Sequence, residues 1–222
     1  MKIYFLVEGE ATELFVYPAW IQLKHPNLPL IKDYDLFSEC EDGLYIVSGY
    51  GYPNIFGEIK NAVRNINTIG DVDFFVVVVD ADEDEVSTRE TIIHQSINSV
   101  GVNGNTNVEV IVQNRCFETF LLGNKKCIPR NTSNETLLKY FEYYDVLEND
   151  PEKMGNFSSD LTHAQFHLKY AITALREKRV RYTKSNCSSV IEETFFQALQ
   201  QRVSSTPHLN SFRKLNLLLD RF

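Results

Sequence analysis

Cysteine is scarce in this 222-residue chain. The four are Cys40, Cys116, Cys127 and Cys187, and no two form a C-x-x-C pair. That spacing argues against a zinc knuckle or a disulfide framework and reads as reduced, buried thiols. Long hydrophobic runs are also missing. None approaches the ~20 residues that cross a bilayer, and the first, Ile3 to Val7, is cut by Glu8 before it could form a secretory core. The expectation is a soluble, cytoplasmic protein with no membrane partner. There is no G-x-x-x-x-G-K-[ST], and Gly49-Tyr50-Gly51 is too short for a dinucleotide fingerprint, so ATP hydrolysis by the chain itself is not expected. A G-x-S-x-G elbow is absent, which leaves serine-hydrolase chemistry without support. His163 and His167 lie one helical turn apart, but the Glu of H-E-x-x-H and a third ligand are lacking, so packing or surface roles are expected.

Hydrophobic residues make up 43% and aromatic residues 12%, enough for a folded core. The net charge of −8 hides an asymmetry. Residues 1–123 carry 7 Lys/Arg against 19 Asp/Glu, and residues 124–222 carry 15 against 11. An acidic half suggests metal ions and a basic half suggests a polyanion, while overall acidity opposes indiscriminate coating of nucleic acid.

Ile3–Val7 and Phe74–Val79 are unbroken runs of β-formers, the pattern of strands buried on both faces in a parallel sheet. Shorter strands are expected at Leu44–Val47 and Val108–Val112. Thr12 reads as the cap of a first helix with Phe15, Tyr17, Ala19, Trp20 and Leu23 on its apolar face, shortened or kinked at Pro18. Asn54 reads as the cap of a second helix through about 66, and Ser87 or Thr88 opens a third through about 99. The alternation predicts an open α/β layer over residues 1–123. Residues 124–222 read as a helical region packed on it, with helices near 133–147, 161–179, 188–203 and 208–221 and a polar loop over 149–160.

Two acidic sites stand at equivalent places. Glu8 follows the first buried strand, and Asp80 and Asp82 follow the Phe74–Val79 strand. Function gathers at the carboxyl ends of strands in open α/β sheets. Side chains alternate along extended backbone, so Asp80 and Asp82 are expected to point one way and the small Ala81 the other. Carboxylates brought within ~5 Å of each other cost several kcal/mol per pair at an effective dielectric of ~20. Folding gives no reason for such a gathering, whereas a bound Mg²⁺ or Mn²⁺ does. The Asp82-Glu83-Asp84-Glu85 run also reads as a solvated loop.

The segment Glu8-Gly9-Glu10-Ala11-Thr12-Glu13, the later Asp80-Ala81-Asp82, then Phe117-Glu118-Thr119-Phe120-Leu121-Leu122 and Tyr182-Thr183-Lys184 together resemble the Toprim domain of topoisomerases, primases and OLD-family nucleases. The likeness is closest to the RloB-like stand-alone Toprim proteins of anti-phage defence. It implies a Toprim-like, mainly parallel sheet. It also implies a metal-dependent nuclease cutting DNA or RNA, working with an ATPase partner. Glu8, Asp80 and Asp82 would act as metal ligands or acid/base groups. Glu13 and Glu118 resemble additional acids for a second ion, and Lys184 would neutralise charge on the reacting phosphate. Glu13 and Glu118 also read as first-turn helix acids, Arg115 as a salt-bridge partner of Glu118 or a phosphate contact, and Lys184 as a surface lysine.

Arg176, Lys178, Arg179, Arg181 and Lys184 fall within nine residues that hold one acid, Glu177, and Tyr182 offers an aromatic face. This stretch reads as a nucleic-acid backbone contact or as a charged helix end. Two further readings stand beside the nuclease. One is a non-catalytic subunit that binds a partner through apolar faces at Phe195-Phe196, Leu215 and Leu217 to Leu219. The other is a nucleotidyl transferase using the same metal site.

Overall fold

The computed structural model describes residues 1–222. Every residue of β1 (Lys2–Val7) and the first six of β4 (Phe74–Asp80) are buried. Successive side chains point to opposite faces, so both faces are covered, as central parallel strands require. Even Lys2 is enclosed. Its ammonium pairs with Asp71 at 2.8 Å and donates to the Ser38 carbonyl at 3.0 Å. β3 (Gly43–Ser48) pairs in parallel with β1 from Lys2↔Gly43 to Val7↔Ser48, and β4 pairs on the other side from Ile3↔Phe74 to Val7↔Val78. β2 (Leu30–Ile31) and β5 (Asn107–Gln113) complete the order β2-β3-β1-β4-β5. The result is the expected open, parallel α/β sheet of Toprim-like type, with β1 at its centre.

Contacts group the chain into two compact units. One comprises 1–79, 86–112 and 219–222, and the other 80–85 and 113–218. This cut differs from a boundary at 123, because residues 113–123 group with the helical part.

The first unit holds the sheet with α1 (Thr12–Lys24), α2 (Tyr34–Glu39), α3 (Ile55–Ile69) and α4 (Val86–Asn98). α1 runs through Pro18 for 13 residues, so the expected shortening does not occur, and its cap position is Ala11. Phe15 is 62% exposed, and Val16, Tyr17, Trp20 and Ile21 supply the buried face instead. β2 and α2 lie in a stretch that the sequence pattern did not resolve. β2 has only two residues, and α2 is one short helix whose first turn is closed by the Asp33 carboxylate accepting from Leu36 N–H at 3.0 Å.

The second unit is helical as expected, with α5 (Glu118–Gly123), α6 (Glu135–Tyr143), α7 (His163–Glu177), α8 (Glu193–Ser205) and most of α9 (Asn210–Leu219). α5 packs on α7 and α8, and α6 on α7. The rings of Phe120 and Phe196 meet Phe212 edge-on at 5.4 and 5.9 Å. Phe195, Phe196, Leu215, Leu218 and Leu219 are all buried, and of the expected partner-binding faces only Leu217 is exposed. Those apolar residues make core, which corrects their reading as an open groove. The 149–160 loop contains one short 3-10 turn, Pro151–Lys153. Its Glu152 carboxylate accepts from Asn210 and Ser211 N–H at 2.8 and 2.9 Å and so closes the start of α9.

His167 is fully buried on α7, with Nδ1 2.8 Å from Thr119 Oγ1, in the packing role the sequence allowed. Burial pushes its pKa down from 6.5 to about 3. The unfolded chain takes up this proton as pH falls through 6.5, whereas the fold refuses it until about 3. Stability is therefore complete above 6.5 and declines as pH drops towards 3, by up to ~1.4 kcal/mol per pH unit from this one group. Urea unfolding of wild type and His167→Gln at several pH values checks this. The variant should show a shallower decline across that window.

Candidate active site at the carboxyl ends of the strands

In the first unit, the backbone fixes Glu8. Its N–H donates to Val78 O at 3.0 Å, continuing the β1–β4 ladder, and its carbonyl accepts from Gly51 N–H at 2.9 Å. Gly49 N–H donates to Val7 O at 2.6 Å. The loop after β3 turns through positive φ at Tyr50 and Gly51 to make these bonds. The Glu8 side chain is only 9% exposed. Glu13 is buried as well, and its Oε2 accepts from Gly9 N–H at 2.5 Å. Ala11 has no side chain to cap α1, so this carboxylate closes the turn from β1 into the helix. The structure thus gives Glu13 a structural task of the first-turn kind.

In the second unit, the charges of Asp80 and Glu118 both act on one buried thiol. Cys116 is pushed well above its ordinary pKa by burial, then by the negative charges of Glu118 and Asp80. Each carboxylate is held by a neutral donor. Gln113, fully buried, donates its Nε2–H to Asp80 Oδ1 at 2.7 Å, and the Tyr182 hydroxyl donates to Glu118 Oε1 at 2.9 Å. Gln113, Cys116 and this use of Tyr182 carried no sequence signal, because their partners lie 33 to 64 residues away or depend on burial. Tyr182 is 5% exposed, so its ring is not the stacking face that its basic neighbours suggested. Tyr182→Phe should strip a buried carboxylate of its donor and cost about 1–3 kcal/mol in chemical denaturation. It should also weaken Mn²⁺ uptake roughly 10- to 100-fold in calorimetric titration.

Asp82 departs from the expected alternation. The strand ends at Asp80, and Asp82 has φ of 51°, so period-two logic does not fix its direction. Its N–H donates to Arg115 O at 2.8 Å, and Arg115 Nη1 donates back to the carbonyls of Asp82 and Asp84 at 3.1 and 3.4 Å. Arg115 therefore braces the backbone of the acidic loop. Glu83 is bound too. Its carboxylate accepts from His163 N–H at 2.6 Å and meets His163 Nδ1 at 2.5 Å. Burial pushes the Glu83 pKa up, but these hydrogen bonds outweigh it and the net direction is down. Lys184 is exposed on a tight turn closed by the Thr183–Asn186 bridge, and Arg176, Lys178, Arg179 and Arg181 are exposed around the end of α7.

No three His, Cys, Asp or Glu side chains come together as a ready-made metal cage. The all-carboxylate donor set nevertheless suits a hard cation. Mg²⁺ commonly takes one or two protein carboxylates and completes its shell with water and substrate phosphate. Carboxylates pre-oriented by outer hydrogen bonds, as Asp80 and Glu118 are, match that use. No family model, curated protein or solved structure matches the chain. No helix is long and apolar enough to cross a membrane.

Proposed function

We propose that the chain is a metal-dependent phosphodiesterase, a nuclease of Toprim type acting on DNA or RNA. The observation that carries this reading is the orientation of two carboxylates, Asp80 at the end of β4 and Glu118 at the start of α5, each by a neutral donor. Both negative charges raise the buried Cys116 thiol, and a bound cation would offset them. Asp80 ends β4, and Glu8 leaves β1, the neighbouring parallel strand, at the same carboxyl-terminal edge. A bound Mg²⁺ or Mn²⁺ would supply positive charge at a phosphodiester oxygen and a more acidic water. The protein's own groups do the rest. Asp80 and Glu118 hold the cation, with Asp82 beside them on the braced loop. Gln113 and Tyr182 fix the carboxylate orientations, Glu8 takes up and returns a proton, and Lys184 and the cations near α7 draw in the polyanion. By resemblance, the reading extends to an ATPase partner and a place in anti-phage defence. The reading as a non-catalytic partner subunit loses the apolar faces that motivated it, because those residues are buried.

The test is cleavage of plasmid DNA and of RNA in Mg²⁺ or Mn²⁺ against a chelator control, with Glu8→Ala and Asp80→Ala alongside wild type. Metal-dependent cutting that survives both changes ends the proposal. So does a calorimetric titration in which the wild-type chain takes up neither ion.

A further inference from the structure

Three depressions lined by cations lie on the second unit. One of about 560 Å³ is lined by Arg176, Arg179 and Arg181 with Thr183 and Asn186. A second, also about 560 Å³, lies among Lys125, Lys126, Arg130 and Lys178. A third, of about 220 Å³, begins at the same Lys125 and Lys126 and runs to Gln201 and Ser205 on α8. The end of α7 borders the first two, and the segment after α5 borders the last two, so the three form one row.

Two details show that the row is not an ordinary charged helix end. The one acid within it, Glu177, lines the second depression, but its carboxylate is already engaged. Its carboxylate accepts from Thr132 Oγ1 at 3.1 Å and Asn134 Nδ2 at 3.3 Å, at the cap of α6. The α7 terminus closes with Val180 N–H on Leu175 O at 2.9 Å, and Arg179 sits in the left-handed conformation at φ 57°. That position usually belongs to glycine, and a non-glycine residue there is locally strained. A chain with net charge −8 thus keeps an arginine where it is locally unfavourable, on the rim of a depression lined by two further arginines.

We propose that this row is a track for the backbone of a single nucleic-acid strand, in which Lys125, Lys126 and Arg130 continue the path begun by Arg176, Arg179 and Arg181. The proposal rests on the nuclease reading and deepens it by assigning the strand's route. Tyr182 is buried, and no other aromatic side chain lines the row, so the contacts are to phosphates and carry no sequence preference. A row of separate pits around a helix end suits a flexible strand better than a straight duplex.

Fluorescence anisotropy of labelled single-stranded DNA and RNA of about 20 nucleotides, in chelator and at salt between about 50 and 200 mM, tests this without cleavage. Two triple variants are compared with wild type: Lys125→Ala/Lys126→Ala/Arg130→Ala and Arg176→Ala/Arg179→Ala/Arg181→Ala. Each should bind at least about tenfold more weakly and lower the slope of log affinity against log salt by about 2, at roughly 0.7 per lost phosphate contact. Lys60→Ala/Arg64→Ala, on an exposed face of α3, should leave both unchanged. A folded 125/126/130 variant that binds like wild type with an equal slope overturns the track, as does the absence of saturable binding to either strand. Because no divalent ion is present, this result stands whether or not the nuclease reading survives its own test.

Discussion

Glu8→Gln should lower metal-dependent cleavage by about 10²- to 10⁴-fold, the range that a lost general acid/base commonly produces, while the protein keeps its fold. The second half of this expectation follows from the hydrogen bonds. The loop bonds around position 8 run through its backbone N–H and carbonyl, to Val78 and Gly51, so an isosteric amide leaves them in place. What the substitution removes is the carboxylate's charge and one proton-accepting oxygen. Asp80→Asn makes a matched comparison, since its remaining Oδ1 can still accept from Gln113 Nε2. If Asp80→Asn abolishes Mn²⁺ uptake and Glu8→Gln spares it, the aspartate is the ligand and the glutamate the proton carrier. Full-rate cleavage by a folded Glu8→Gln protein removes Glu8 from the mechanism.

Arg202→Ala should cost about 3–5 kcal/mol of stability, a fall in melting temperature of roughly 6–20 °C for a chain of this size. The guanidinium is 3% exposed and serves acceptors from three loops. Nη1 donates to Val146 O at 2.9 Å and Gly123 O at 3.4 Å, and Nη2 to Asn149 O at 2.7 Å and His208 Nδ1 at 2.9 Å. Truncation removes this donor from the buried Gly123 and Val146 and the half-buried His208. Arg202→Lys should recover only part of the loss, because one ammonium cannot reproduce a planar fork. A second readout separates this from simple loss of packing. Accepting from Arg202 requires His208 to be neutral at Nδ1, and its pKa is pushed down by burial and then by the Arg202 charge. Removing the guanidinium should return His208 towards its ordinary value, which NMR titration measures. No movement of His208 would show that its contact with Arg202 has no electrostatic weight.

The sheet was legible where the chain writes long signals. Ile3–Val7 and Phe74–Val79 are unbroken because both of their faces are buried, and that burial is the structural fact the pattern encodes. Leu30–Ile31 is too short to show any period, and α2 announces itself only through Asp33, a capping residue among several acids. The site was legible in part. Strand ends marked Glu8 and Asp80, but alternation failed at Asp82 because the chain leaves extended geometry there, as an Asp in a turn readily does. Tyr182 looked like a stacking ring because sequence shows neighbours along the chain and not the carboxylate of Glu118, which lies 64 residues away. The row of depressions was half legible, since Arg176 to Arg181 form a cluster in sequence while Lys125, Lys126 and Arg130 join it only in three dimensions.

The turn between β1 and α1 carries a constraint that reaches beyond this one chain. A Cβ at position 9 would collide with the Glu13 carboxylate, which reaches back to the Gly9 amide. Any side chain at 9 must therefore expel that carboxylate and leave the amide to find another acceptor. In descendants of a common ancestor, glycine at the first position and glutamate at the second should be kept or lost as a pair, because a lineage that altered one alone would lose the bond that joins them beside the acid after the central strand.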